Sequence, residues 1–278
     1  MGRTSTVAFL LLDPMFQQTL ADEKSTHESR TMNMAKPVNS DPRTAGYQSW
    51  KKLTFLHWRI AAEKLQPLVP AGLTIEQFDG SAWLGLVPFS MERVRPWWFC
   101  AVPGVSWFLE TNIRTYVVDQ RGVRGVWFFS LDANNQLAVS VARGFWHLPY
   151  KMAHLSLNSS TDSADQMRVN YAGHRIDSPA ADYEVSVDVS LASSATTAAP
   201  ETLDHFLLER YILFAQHSSG RFMTGEVHHD PYRIRVVNSF SVTQSLTAAM
   251  GCALESVAVD HVAYSDGVDV RVSPLEII

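Results

Sequence analysis

Cysteine is nearly absent. The 278-residue chain has two, Cys100 and Cys252, far apart and outside any CxxC spacing, which excludes the pattern of a disulfide framework or a zinc knuckle. A reducing, cytoplasmic setting is expected. Charge is also sparse: Asp, Glu, Lys and Arg make up 18% of residues, the formal net charge is -5, and no Lys/Arg cluster occurs. Such a chain lacks the electrostatic footprint that holds phosphate backbones or anionic lipid, so neither nucleic acid nor a membrane is an expected partner. Long apolar runs are missing, since "VAFLLL" near the start falls far short of the roughly 18 residues a spanning helix needs. There is no GxSxG elbow, no P-loop, no strand-GxGxxG-helix unit and no HExxH, which removes the serine hydrolase, NTPase, dinucleotide and zincin readings. The only histidine pair, His228 and His229 in "VHHDP", consists of strand neighbours that point to opposite faces, so no metal site and no cofactor are expected. Lysine is scarce too: the second half of the chain holds one, Lys151.

Apolar residues are abundant at 46%, with aromatics at 11%, enough to bury a substantial core. Residues 1–43 are mostly polar and aperiodic and contain Met32 and Met34 as alternative starts; a disordered tail is expected there, followed by one domain over 44–278. From residue 49 the pattern is dense and mostly extended. "SWKKLTFLHWRI" reads as a strand and "AAEKLQPLVPAGL" as a short helix broken at Pro67. The Asp79-Gly80 pair lies between two apolar runs and predicts a hairpin. "FLETNIRTYVVDQRGVRGVWFFSLDA" predicts two strands around a glycine-containing turn. Helices are expected over 134–145, 202–216 and 245–251, a loop over "SLASSATTAAPE", and a terminal hairpin turning at "SDG". Many strands, few helices and hairpin connections imply a mainly antiparallel α+β fold, in which closure into a barrel or cone would bury one face and remove the edges.

Side chains alternate across a strand, so Glu110, Asn112, Arg114 and Tyr116 share one face of "LETNIRTYVV" while Ile113, Thr115 and Val117 share the other. On an outer face this stripe is a wet surface. On the inside of a barrel its charges must be paired or serve a ligand, because an unpaired buried charge costs several kcal/mol. The neighbouring "VWFFSLD" is apolar on both faces, with Val126 and Phe128 on one and Trp127, Phe129 and Leu131 on the other, which supports burial on both sides. Arg143 falls near the end of a predicted helix, where a cation meets the helix dipole favourably. Pro149 is expected to end that helix and start a strand. Tyr150 and Lys151 then point in opposite directions, so only one of them faces the interior.

The segments "FLHWRI", "LVPAGLTIEQFDGSAWLGLVPFSMERVRP", "FLETNIRTYV", "GVWFFSLDA", "ARGFWHLPY" and "GEVHHDPY" run in order from about residue 50 to 235. Together they resemble the YqjF-like family of uncharacterised bacterial proteins, within the acetoacetate-decarboxylase-like superfamily. The resemblance implies a β-rich cone or barrel around a central cavity with helices outside. Decarboxylases of that superfamily carry a Pro-Lys-Lys motif whose first lysine forms a Schiff base with substrate while the second lowers its pKa. The corresponding stretch here is Pro149, Tyr150, Lys151, which implies that a tyrosine replaces the Schiff-base lysine. Glu110 corresponds to a pocket acid, and Arg143 to the arginine of the family's Gly-Arg-Glu segment.

The candidate catalytic residues are therefore Glu110, Tyr150 and Lys151, and the candidate substrate-binding residues Asn112, Arg114 and Arg143. The expected function is that of a small-molecule pocket protein acting on a keto acid or other small carboxylated metabolite by acid/base chemistry. In that scheme Arg114 or Arg143 clamps the carboxylate; in a variant, Lys151 forms an imine. A non-catalytic metabolite-binding protein using the same cavity is the alternative, and homo-oligomerisation is left open.

Overall fold

The computed structural model describes residues 44–278, apart from 163–164, 218 and 255–257 and the side chain of Phe145. The tail expected over 1–43 lies outside the described residues. Seven strands carry the architecture: β1 (Gly46–Ile60), β3 (Ala82–Pro96), β4 (Phe108–Asp119), β5 (Arg124–Ala133), β10 (Ile212–Gln216), β11 (Phe222–His228) and β14 (His261–Val272). Their pairings run round a closed circuit, β1–β3–β4–β5–β10–β11–β14 and back to β1. Every contact is antiparallel except β5–β10. A short β2 (Leu73–Ile75) pairs with β4. A second group, β6 (Tyr150–Thr161), β7 (Gln166–Arg175), β8 (Ala181–Ser190) and β13 (Val237–Gln244), is joined to the circuit through β5–β6. Short β9 (Thr196–Thr197), β12 (Arg233–Arg235) and β15 (Glu276–Ile277) complete the sheet. The helices are α1 (Ala62–Leu65), α2 (Gln136–Phe145), α3 (Leu203–Leu208) and α4 (Leu246–Ala249). None of the described helices is long and apolar enough to cross a membrane.

Two cores follow from the alternation of side chains across the ring strands. On β3, Trp83, Val87, Phe89 and Met91 enter one cluster, and Leu84 and Leu86 enter the other. On β4, Tyr116 belongs to the first, whereas Ile113 and Val117 belong to the second. The second cluster includes Val169, Tyr171, Val185, Val187 and Val189 of β7 and β8, so one face of the ring is covered by the additional sheet.

Bulges adjust which side chains face inward. The β1–β3 register slips between Lys51 and Leu56, and Lys52 takes φ 55° there. As a result Gln48, Trp50 and Leu53 all line the same cavity despite their mixed parity. Phe129 is the extra residue where Ile113 pairs with Ser130 and Arg114 with Phe128. Leu131 therefore joins Val126 and Phe128 at the cavity, rather than sharing a face with Trp127 as uniform alternation would have it.

Several local expectations are met: α2 covers most of 134–145, with the Asn135 side chain accepting from Ala138 N as its cap, and β6 begins at Tyr150, directly after Pro149. Others are corrected. The Asp79-Gly80 turn exists, closed by a Phe78–Ser81 bridge, yet β2 pairs with β4 rather than β3, because a turn signal is local and cannot choose the partner of a three-residue strand. The helix expected over 202–216 stops at Leu208. Ile212–Gln216 is instead strand β10, held by backbone bonds to β5 and β11 that outweigh the helical spacing of its apolar residues. No hairpin forms at "SDG": β14 runs straight through it. Gly267 sits at φ +137°, where an added Cβ would lie 2.1 Å from the Trp50 carbonyl oxygen, so the glycine serves a close strand approach instead of a turn.

The strongest polar fastening is also buried. Arg175 on β7 reaches across β6 to Asp132 on β5, with Nε donating to both carboxylate oxygens at 3.0 and 2.8 Å, and Nη2 donating to Asp132 at 2.8 Å and to Ser130 Oγ at 2.7 Å. Both side chains are 2% exposed. Replacing Arg175 by Gln strands a buried carboxylate and should cost about 3 to 5 kcal/mol in urea unfolding. Arg168→Gln, which removes an exposed guanidinium from its pair with Asp188, should cost clearly less than Arg175→Gln in the same measurement.

Candidate ligand cavity

Residues of the ring strands line a cavity of about 210 Å³. The inward face of β4 supplies Phe108, Glu110, Asn112 and Arg114; β3 supplies Val87, Phe89 and Met91; and one face of α2 supplies Ala138, Val141 and Ala142. Tyr150 enters from the first residue of β6, which pairs with Leu131 of β5. The Tyr150 hydroxyl donates to Glu110 Oε2 at 2.6 Å, and the Asn112 side chain also bonds the Glu110 carboxyl. Burial dominates the titration of this carboxyl and raises it from 4.5 to about 7; the bonds from Tyr150 and Asn112 oppose the shift, and the Asp132 charge adds to it. Burial, reinforced by the Glu110 charge, holds the Tyr150 hydroxyl well above its ordinary range, so it remains a donor.

Arg114 lies two residues further along the same face. Its Nη2 donates to the Leu207 carbonyl at 3.0 Å and reaches the Tyr116 hydroxyl at 3.4 Å, while its Nε is buried with no protein partner. The Tyr116 hydroxyl donates to the same Leu207 carbonyl at 2.8 Å. Behind it runs a chain of rings: His57 Nε2 lies 2.8 Å from Tyr116 Oη, His57 Nδ1 lies 3.0 Å from His261 Nδ1, and His261 Nε2 lies 2.7 Å from Asp204 Oδ1. Burial, then the His261 and Arg114 charges, lower the His57 pKa well below its usual value. Gly85 makes this packing feasible, because a Cβ there would sit 2.9 Å from the His57 ring and 3.4 Å from Arg114 Cγ.

The structure therefore brings Glu110, Asn112, Arg114 and Tyr150 to one cavity and places two other candidates outside it. Lys151 points the other way on β6, with Nζ donating to the Ser178 carbonyl at 3.0 Å. Arg143 donates through Nε to the Tyr150 carbonyl at 2.8 Å and through Nη2 to Asp177. Both line a surface depression with Asp177 and Ser178. This corrects the expectation that Arg143 could clamp a ligand in the same cavity: α2 turns its Ala138–Val141–Ala142 face inward, and Arg143 follows the adjacent direction. Of the two orientations open for Tyr150 and Lys151, the tyrosine faces inward.

Sequence reasoning missed Arg210, which also lines the cavity. Its Nε donates to Phe206 O at 2.6 Å, its Nη1 pairs with Glu76 Oε2 at 2.7 Å, and its guanidinium stacks over Phe206 at 4.3 Å. A lone arginine closing the apolar run "HFLL" was the available signal. Gln48, Trp50 and Tyr232 were missed as well. His228 is exposed, while His229 packs on Trp50, Tyr211 and Tyr232. Among the described residues, no group of three or more His, Cys, Asp or Glu is placed to hold a metal ion.

The raised Glu110 value has a consequence for stability. Between pH 4.5 and about 7 the folded protein keeps a proton that the unfolded chain has lost. The contribution of the protonated carboxyl is thus full below 4.5 and lost as pH rises to about 7, a change of about 3 kcal/mol. Glu110→Gln removes this dependence. Urea unfolding of the variant should gain about 2 to 3 kcal/mol relative to wild type between pH 5 and pH 8, whereas an unperturbed carboxyl would give parallel curves.

The same fold is found elsewhere. The enduracididine biosynthesis enzyme MppR complexed with pyruvate superimposes with a TM-score of 0.59 at 14% identity, covering 90% of this chain and 98% of that one. An acetoacetate decarboxylase from Legionella pneumophila gives a TM-score of 0.56 at 11% identity over 93% of this chain and 95% of that one. In sequence, the uncharacterized protein YqjF of Bacillus subtilis is 32% identical over 229 residues, 82% of this chain and 90% of that protein. A family model described as an uncharacterized conserved protein, DUF2071, matches residues 47–269. The chain belongs to the DUF2071 family, in which YqjF is a relative, and it has the acetoacetate-decarboxylase-like fold.

Proposed function

We propose that the protein binds a small carboxylated metabolite in a barrel or cone closed by the strand circuit and catalyses proton transfer on it, with Glu110 as acid/base and Arg114 as carboxylate anchor. The observation that carries this reading is the Glu110–Tyr150 hydrogen bond of 2.6 Å inside the cavity, beside a guanidinium that keeps one N–H without a protein partner. A carboxyl that titrates near 7 is matched to exchanging protons at neutral pH. Its ionised form would take a proton from a carbon next to a carbonyl, sending the electron pair to the carbonyl oxygen. Its protonated form would return that proton. Tyr150 steadies the carboxyl throughout as a donor. Imine chemistry finds no support here, because no lysine lines the cavity among the described residues, and Lys151 is engaged at the surface. That a protein of this fold, MppR, is found complexed with pyruvate is consistent with an oxo acid as ligand.

The missing cavity lysine equally favours a second reading, in which the protein binds its ligand without turning it over. Proton exchange separates the two. Oxo acids incubated with the protein in heavy water and followed by NMR should lose the C–H signal beside the carbonyl, with the rate rising through a midpoint near pH 7. Glu110→Gln should slow this exchange by about a hundredfold or more. Ligands that raise the melting temperature yet show no exchange above background would establish binding alone.

A further inference from the structure

Apolar side chains outnumber polar ones in the cavity wall. Gln48, Glu110, Asn112, Arg114, Tyr150, Arg210 and Tyr232 are its polar residues, while most of the rest of the wall is apolar, including Trp50, Phe89, Met91, Phe108, Phe128 and Trp146. A two- or three-carbon acid at Arg114 would leave most of that wall facing solvent. At about 30 Å³ per water-sized unit, a volume of 210 Å³ accommodates about seven, more than a minimal acid fills.

The unpaired atoms describe the head of the ligand. Arg114 Nε is a buried donor and Asn112 Oδ1 a buried acceptor, and neither has a protein partner. Oδ1 is an acceptor and calls for a donor. The two residues share one strand face and stand roughly 6.5 Å apart. An anionic oxygen at Arg114 together with a hydroxyl or enol at Asn112 would satisfy both; a bare carboxylate would satisfy only the first.

Exposed aromatic side chains lie in the loop between two of the cavity strands. Met91 and Val94 near the end of β3 and Phe108 at the start of β4 line the cavity; the loop joining these strands exposes Trp97 (53%), Trp98, Phe99 and Trp107. Asn135, the cap of α2, donates to the Gly104 and Val105 carbonyls of this loop, tying it to the helix whose Ala138, Val141 and Ala142 face the cavity.

We propose that the ligand is amphiphilic: a hydroxy acid or enolisable oxo acid whose head binds Arg114 and Asn112 and whose straight or aryl apolar body lies against Phe89, Phe108, Phe128 and the inner face of α2. The inference rests on the cavity reading above and adds the chemical class of its ligand.

Calorimetric titration of the full chain with straight-chain 2-oxo acids and their 2-hydroxy counterparts, from pyruvate and lactate to the ten-carbon members, tests it. Affinity should tighten about fourfold per added methylene up to a limiting length, and should exceed that of the unsubstituted fatty acid of the same length. Ala142→Leu should shorten that limit; Leu131→Ala, which opens the wall, should lengthen it, so that one variant suffices if the other fails to fold. Arg114→Gln should weaken every acid, and methyl esters should bind poorly. Affinity independent of chain length, with short acids still requiring Arg114, would overturn the amphiphilic ligand while leaving the cavity reading intact. Esters binding as tightly as acids would overturn the acid head. No binding by any acid would overturn both readings.

Discussion

Strand β4 buries a carboxyl, an amide and a guanidinium on one face, at a cavity lined by the ring strands. Removing such groups from water costs several kcal/mol for each left uncompensated, so the surrounding structure is organised by how they are satisfied. Glu110 is accommodated by shifting its titration and taking hydrogen bonds from Tyr150 and Asn112. Arg114 is held from one side by the Leu207 carbonyl and by Tyr116, with aromatic faces at 5.6 and 5.7 Å. What the protein leaves unmet, Arg114 Nε and Asn112 Oδ1, belongs to two residues that line the same cavity. Structural compensation and ligand recognition here are two parts of one balance.

The backbone around the ring makes this placement feasible. The bulges in β1 and β5 change side-chain parity so that large apolar residues close the cavity from several strands. The small residue at Gly85 lets the His57 ring pass beside Arg114, which connects the guanidinium, through Tyr116 and two histidines, to the half-exposed Asp204. On the other face of β5, the Asp132–Arg175 pair fixes the additional sheet against the ring, and Asp132 in turn adds to the upward shift of Glu110.

Period-two alternation made the inward set on β4 readable before any coordinates, and Pro149 correctly divided α2 from β6. The opposite orientations of Tyr150 and Lys151 followed from the same rule, but which of them faced inward did not, since that depends on how β6 pairs with β5. Bulges defeated the reading of β5, because an inserted residue such as Phe129 leaves no distinct local mark. Strand β10 was read as helix because "ILFAQ" has no alternation, and its partners lie far away in sequence. Arg210, Gln48, Trp50 and Tyr232 reach the cavity only through the closure of the ring, a long-range property that composition and spacing do not encode.

Glu110 is the centre of this account, and its protonation can be observed directly. Infrared difference spectroscopy of the carboxyl stretch, assigned with Glu110→Gln and recorded across the pH range, should show a protonated band that disappears with a midpoint near pH 7 and shifts in frequency in Tyr150→Phe. A band already lost by pH 5, insensitive to Tyr150, would contradict a buried proton-exchanging carboxyl and with it the assignment of this cavity as the site.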